Sequence, residues 1–199
     1  LNLKILKPLY ERGVSLKIIY IMPEIEILSE VPSLQEKLVR GVLQEYARSG
    51  AFDEFKIISN SIISSLAEPS SVMERYEKIN DAIASTIYML DTIRAQQPVS
   101  STVGPLKETS RIGSISVASL NPYEERSFFS LDNVSELVYH FGIHKSKLET
   151  ETDLFEKITA IVKAKKELGC RVSFAIYPTR YEEDYIYIEN YSSEIQKTN

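Results

Sequence analysis

The chain has 199 residues, of which 43% are hydrophobic and 26% are charged, and these proportions are those of one ordinary globular domain or two small ones. Its 7 glycines and 8 prolines exclude a collagen-like or low-complexity chain. The 28 acidic and 23 basic residues give a net charge of -5, so any contact with nucleic acid has to come from a local basic patch or from a domain outside this sequence.

Cysteine content and the lengths of the apolar runs predict a cytoplasmic protein without a membrane span. Cys170 is the single cysteine, so no internal disulfide can form and a reducing compartment is expected. The longest apolar run, Leu16 to Met22, contains Lys17 and is much shorter than the roughly 20 residues that a spanning helix requires. Because the chain opens with Leu1 and an amphipathic helix rather than a strand, we expect it to be part of a longer protein.

One pattern recurs along the chain: an amphipathic helical stretch, a glycine, and a short run rich in β-branched and aromatic residues. The three units are a helix over 3–12 before a strand over 14–22, a helix from 33 to Gly50 before a strand over 55–58, and a helix over 154–168 before a strand over 170–177. The first strand is almost continuously apolar, as expected when helices cover both faces of a parallel sheet. The predicted fold class is therefore α/β, with a mostly parallel, Rossmann-like sheet flanked by helices.

The second of these helices is predicted to pack against the sheet through its apolar side. Ser33 and Glu36 form a capping-box pattern at its start. The residues that share its apolar face are Leu38, Val39, Val42 and Tyr46. Amphipathic helices usually bury such a face, so these four side chains are expected in the core.

A long helix is predicted from Ser71 to about Ala95, where apolar side chains follow spacings of four and three. The residues of this heptad pattern are Val72, Tyr76, Ile79, Ile83, Thr86, Leu90 and Ile93. Burial against a sheet explains the pattern at least as well as a coiled coil does. The same spacing also predicts that two copies of the chain form a homodimer through residues 71–95.

Residues 98–110 are rich in Ser, Thr, Gly and Pro and are predicted to form a linker or mobile loop. They divide the chain into an α/β unit over 1–97 and a second α/β portion over 111–199, which are expected to pack as one domain. The second portion opens with a strand over 113–119 and continues with a short helix between Asp132, as its N-cap, and Gly142. The inner face of that helix is predicted to carry Val134, Leu137, Val138 and Phe141.

The last part of the chain predicts an antiparallel C-terminal hairpin. Alternation along its two strands places two sets of side chains on opposite faces. The apolar set is Val172, Phe174, Ile176, Ile186 and Ile188, and the opposite set is Ala175, Tyr177, Tyr185 and Tyr187. Acidic residues surround the tyrosines and disfavour stacking on nucleic-acid bases, so this face is predicted to be structural or a protein contact.

Neither a metal site nor a cofactor site is predicted. His140 and His144 are four residues apart, but a helix end at Gly142 would turn their rings apart, and no further ligand completes a set. Cys170 is expected to be a small core residue. Residues 103–110 hold a glycine, a lysine and hydroxyls, but Pro105 lacks the amide that a phosphate-binding loop would need.

Two short motifs resemble those of the restriction-endonuclease-like nucleases. Pro23-Glu24 is similar to the proline–acid pair of that class, with Glu in place of the usual Asp, and Glu54-Phe55-Lys56 is similar to its Glu-x-Lys strand motif. The resemblance implies a Mg²⁺-dependent nuclease in which Glu24 and Glu54 hold the metal and Lys56 orients water. This is the alternative function; the simpler explanation is two solvated strand ends.

A small-ligand site is predicted beyond the carboxyl ends of the strands, where loop amides and helix N-termini converge in open α/β sheets. The candidate ligand-binding residues are Glu24, Ser59, Asn60, Ser61, Thr179 and Arg180. Their hydroxyls, amide and guanidinium suit a polar or anionic ligand. The same residue types are also common in ordinary turns.

No catalytic motif is complete, so the preferred function is a non-enzymatic sensing or interaction module. Arg12-Gly13-Val14, between a helix and a strand, is similar to a short sequence pattern in the effector domains of some archaeal transcription regulators. That similarity implies the effector or ligand-binding part of a larger regulatory protein, with DNA held by a domain outside this sequence. We assign no family on these three residues.

Overall fold

The computed structural model describes residues 3–66 and 71–197. The helices are α1 (Leu3–Glu11), α2 (Glu30–Arg48), α3 (Asn60–Leu66), α4 (Val72–Arg94), α5 (Lys145–Thr150) and α6 (Leu154–Glu167). The strands are β1 (Lys17–Met22), β2 (Glu54–Ser59), β3 (Ile112–Leu120), β4 (Tyr123–Ser127), β5 (Glu136–His144), β6 (Arg171–Thr179) and β7 (Tyr185–Ser192). The three helix–strand units expected from sequence are all present, so the α/β class is confirmed.

The described strands form one mixed sheet in the order β1-β2-β3-β7-β5-β6, with β4 paired to the second half of β3. Neighbours are parallel in β1-β2, β2-β3 and β5-β6, whereas β7 is antiparallel to both β3 and β5. The prediction of a mostly parallel, Rossmann-like sheet is therefore not confirmed. The physical reason is the short connection over 180–184, because a parallel crossover needs about a dozen residues or more.

The predicted C-terminal hairpin is wrong, because β5 lies between β6 and β7 and pairs with both. The predicted alternation is nevertheless correct. Val172, Ile176, Ile186 and Ile188 share one core cluster, and Ala175, Tyr177 and Tyr187 share another on the opposite face. Alternation assigns faces but carries no information on which strand lies next to which.

The short helix predicted between Asp132 and Gly142 is also wrong, because Glu136–His144 is the strand β5, which lies between β7 and β6. Leu137, Tyr139, Phe141 and Ile143 face one core cluster, and His140 faces the other side. When both faces of a strand are buried, its residues form a continuous apolar run that also satisfies helical spacing. The aromatic and β-branched content of this run was the better guide to its conformation.

Helices cover both faces of the sheet. On one face, α2 packs over β2 and α6 packs over β5 and β6; on the other face, α4 packs over the middle of the sheet. The predicted long helix is confirmed, and its heptad pattern is buried from Ile79 onward, with Ile79, Ile83, Leu90 and Ile93 all between 1% and 4% exposed, whereas Tyr76 is 55% exposed. A homodimer through α4 would therefore have to use its other sides.

Residues 98–110, predicted as a linker or mobile loop, run along the edge of β6. The amide of Val99 donates to the carbonyl of Ile176 at 2.8 Å, and the amide of Ile176 donates to the carbonyl of Ser100 at 3.0 Å. The amide of Lys107 donates to the Glu136 carboxylate at 2.8 Å. These bonds attach the segment to the same sheet that the residues before and after it build.

Candidate functional site

The side of α2 that faces the sheet carries three polar side chains beside the apolar Leu43 and Ala47. Glu36, Arg40 and Gln44 are 5%, 4% and 0% exposed. Arg40 Nε donates to Glu36 at 2.7 Å, and its Nη1 donates to the carbonyl of Gln196 at 2.8 Å. Gln44 accepts from the amide of Gln196 at 2.7 Å and donates to its carbonyl at 3.2 Å. The chain after β7 thus provides the partners that these buried polar groups need.

Tyr20 completes this polar contact from β1. Its hydroxyl donates to Glu36 at 3.3 Å. Burial and the neighbouring Glu36 carboxylate raise the pKa of Tyr20 to about 12. The hydroxyl therefore stays protonated and remains a donor at every physiological pH.

Because Glu36, Arg40 and Gln44 face inward with Leu43 and Ala47, most of the large apolar side chains of α2 face solvent, and the predicted burial of Leu38, Val39, Val42 and Tyr46 is wrong. The exposed fractions along the apolar side are 65% for Val31, 59% for Leu34, 61% for Leu38, 44% for Val42 and 40% for Tyr46. Val39, also predicted to be buried, is 40% exposed. The predicted capping box is wrong too, because Ser29 is the N-cap and Ser33 and Glu36 lie inside the helix.

An open apolar groove adjoins this side of α2. The groove has a volume of about 530 Å³ and is lined mainly by Leu6, Tyr10, Leu16, Tyr46 and Phe52. Tyr46 belongs both to the groove and to the exposed side of α2, so the two features are continuous. We call the exposed side chains of α2 from Val31 to Tyr46, together with this groove, the α2 surface.

A second group of chemically distinctive residues lies under the C-terminal end of α4. Glu189 of β7 accepts from Lys56 at 2.6 Å, and the Tyr191 hydroxyl and His140 Nε2 lie 2.7 Å and 2.9 Å from its carboxylate. Arg94 of α4 also forms an ion pair with Glu189. The strand residues are deeply buried, with Lys56, Glu189 and His140 between 1% and 4% exposed.

Glu54 joins this network through Lys56 and through the Tyr191 hydroxyl, whose oxygen lies 2.5 Å from Glu54 and whose one hydrogen can be donated to Glu54 or to Glu189, but not to both at once. Burial alone would raise the pKa of Glu189, but the charge of Lys56 and the hydrogen bond from His140 hold that pKa well below its ordinary value. Two cations therefore offset two carboxylates whose oxygens already accept from protein donors. Such a network holds β2, β5, β7 and α4 together.

The structure does not bring the three residues of the nuclease hypothesis to one point. Lys17 pairs with Glu54 at one end of β1 and β2, and Met22 pairs with Ser59 at the other end. These two ends are about 16 Å apart along the strands, and Glu24 lies two residues beyond Met22. Its carboxylate accepts from Arg75 at 2.6 Å.

The predicted ligand-binding residues fall into two separate groups. Ser59, Asn60 and Ser61 follow β2 beside Glu24, and the Ser59 and Ser61 hydroxyls are 2.9 Å apart. Thr179 ends β6, the strand at the opposite edge of the sheet, and Arg180 follows it. Four strand spacings, about 19 Å, separate the two groups, so one small ligand could not contact both.

The two histidines have different partners. His140 binds Glu189, whereas His144 caps α5, accepting from the amide of Ser146 at 3.2 Å. Cys170 donates to the carbonyl of Val134 at 3.3 Å. Within the residues that the structure describes, no group of three or more His, Cys, Asp or Glu side chains is arranged to hold a metal ion.

Sequence reasoning missed Glu189, Tyr191 and Arg94 as members of the ion network. Glu189 lies 133 residues from its partner Lys56, and no local pattern links the two. The sequence of β7 does indicate a buried charge, because Glu189 and Asn190 interrupt a run of tyrosines and isoleucines that is otherwise typical of a buried strand. A buried charge in such a strand requires an opposite charge nearby.

Comparisons with known proteins assign no family, since no protein-family model and no curated protein matches this sequence. None of the described helices has both the length and the apolar content needed to cross a membrane.

Proposed function

We propose that this chain is a non-enzymatic interaction module that binds another protein through the α2 surface, as the effector part of a cytoplasmic regulatory protein. The observation that carries this proposal is the orientation of α2. It is a 19-residue helix that buries Glu36, Arg40 and Gln44 while six of its large apolar side chains are 40% to 65% exposed.

Exposed apolar groups are unfavourable in water. Each Å² of apolar surface removed from water stabilises a structure by about 25 cal/mol, so a contiguous apolar surface favours association. Scattered exposed apolar residues are ordinary, whereas a continuous patch with a polar rim is typical of a protein-binding site. The α2 surface has such a rim, since Lys37 and Glu45 border its exposed side chains and Lys7 borders its groove.

A photocrosslinking experiment tests the proposal. We expect p-benzoylphenylalanine at position 38 to form one discrete protein adduct in the cell that naturally produces the chain, because Leu38 lies in the middle of the α2 surface. The adduct and the crosslinked peptide are identified by mass spectrometry. The matched control places the same group at Lys163, an exposed position on α6. Failure to obtain any adduct specific to position 38 would contradict the proposal.

The nuclease alternative leads to a separate prediction. We expect single- and double-stranded DNA and RNA to remain intact on incubation with the purified chain and Mg²⁺ or Mn²⁺, because Glu54 and Lys56 bind each other and Glu24 lies far away. Gel electrophoresis of the nucleic acids is the measurement. Cleavage that disappears in the Lys56→Met variant would reverse the assignment and favour the enzyme.

A further inference from the structure

We infer that the partner of the α2 surface is the α2 surface of a second copy of this chain, with the two helices packed antiparallel about a twofold axis near Val39. This inference rests on the proposed function and adds the identity of the partner. It differs from the homodimer expected from sequence, because the heptad side of α4 is buried against the sheet.

The first argument is the shape of the surface. The exposed apolar side chains of α2 extend from Val31 to Tyr46, which is about 22 Å along the helix axis. An apolar helix side of similar length is the natural complement to such a stripe. Of the helices that the structure describes, α2 is the one that exposes a stripe of this kind, and a twofold axis lets one stripe cover another.

The second argument is charge complementarity. Charged residues on one flank of the stripe are Glu30, Lys37, Glu45 and Arg48. In an antiparallel pair centred at Val39, Glu30 of one copy lies level with Arg48 of the other, and Lys37 lies within one turn of Glu45. A parallel pair would instead place this flank against the opposite flank of the partner, which carries the uncharged Pro32, Gln35, Val39 and Tyr46, so the charges would have no counterpart. The charges on this flank therefore favour the antiparallel arrangement.

Gly41 lies inside α2 on the same flank and also favours this pairing. A glycine in the middle of a helix costs about 0.5–1 kcal/mol relative to alanine. Nothing within the chain requires it, because a Cβ built at Gly41 meets no atom within 4 Å. The antiparallel pair supplies a reason, since Lys37 of the second copy lies level with Gly41 and a missing side chain allows the helices to approach closely.

Analytical ultracentrifugation of the purified chain over a wide concentration range tests this inference. We expect a reversible change from the monomer mass of 22.7 kDa to twice that mass. Leu38→Glu is expected to raise the dimer Kd by about tenfold or more, because it places a charge in the apolar interface. Tyr88→Glu, at a 69% exposed position on α4, is the matched control and should leave the Kd unchanged.

Three further variants distinguish a specific antiparallel pair from nonspecific hydrophobic association. Gly41→Leu enlarges the apolar surface, yet it should weaken the dimer because it separates the helices. Arg48→Glu should weaken the dimer, and adding Glu30→Arg should restore it, because the exchanged charges again face each other. Circular dichroism should show wild-type folding for each variant, since all these side chains point away from the core.

The outcomes distinguish the inference from the proposed function. A wild-type chain that stays monomeric at every concentration, or a dimer unaffected by Leu38→Glu, overturns the second copy as partner. If crosslinking from position 38 then captures a different protein, the interaction function stands with another partner. If position 38 captures nothing, both are wrong.

Discussion

Replacement of Glu189 by Gln is expected to lower the free energy of unfolding by about 3 kcal/mol, the lower end of the range for breaking a buried ion pair. Glu189 is 1% exposed and accepts from groups on three other elements. The neutral amide leaves Lys56 and Arg94 with less compensation in a buried setting. The loss of stability stays near this lower end because Lys56 still forms an ion pair with Glu54, and Arg94 still forms one with Asp91.

Urea or guanidinium unfolding followed by circular dichroism measures this change. The matched control is Glu124→Gln, which removes a surface ion pair with Arg126 whose side chains are 60% and 55% exposed. Exposed pairs contribute less than about 1 kcal/mol, so the control should unfold almost like the wild type. Equal effects of the two substitutions would show that the ion network does not stabilise the fold.

The pH dependence of this difference follows from the pKa of Glu189. Burial would raise that pKa, but the charge of Lys56 and the hydrogen bond from His140 lower it well below the ordinary value. Because the folded pKa is lower than the unfolded value of about 4.3, the stabilisation is complete above about pH 5 and is lost as the pH falls through the folded pKa. The difference between the wild type and Glu189→Gln should therefore be constant near neutral pH and shrink in acid.

Local patterns were sufficient to predict the helix–strand units and the long helix α4. Gly13, Gly50 and Gly169 all have positive φ, between 68° and 87°, as expected of residues that end helices. Periodicity also assigned the faces of β6 and β7 correctly. These features depend on residues that are close together in the sequence, so local patterns are enough to predict them.

Strand order and the orientation of α2 could not be predicted in the same way. The insertion of β7 between β3 and β5 depends on contacts between residues far apart in the chain. The helix α2 has one polar side and one apolar side, and periodicity alone does not say which one meets the sheet. The deciding partner is Gln196, which is 156 residues from Arg40. The candidate site could not be predicted for the same reason. It is the apolar side of α2, which is exposed because Arg40 and Gln44 turn the other side toward Gln196.

Ile83→Asp is expected to unfold the protein, because it places an unpaired carboxylate in the core between α4 and the sheet. Ile83 is 4% exposed and packs with Ile58, Ile115 and Tyr187. A buried charge without a partner costs several kcal/mol, a large part of the roughly 5–15 kcal/mol that stabilises a typical domain. Loss of the helical circular dichroism signal is the measurement.

A milder variant that stays folded allows the change in the free energy of unfolding to be measured. Ile83→Ala should remain folded and lose about 2–5 kcal/mol, the range for buried large-to-small changes. Tyr88→Asp, on the exposed side of the same helix, should change the free energy of unfolding by less than about 0.5 kcal/mol. An Ile83→Asp variant that folds normally but no longer self-associates would show instead that the heptad side of α4 faces a second chain, as one interpretation of its spacing predicts.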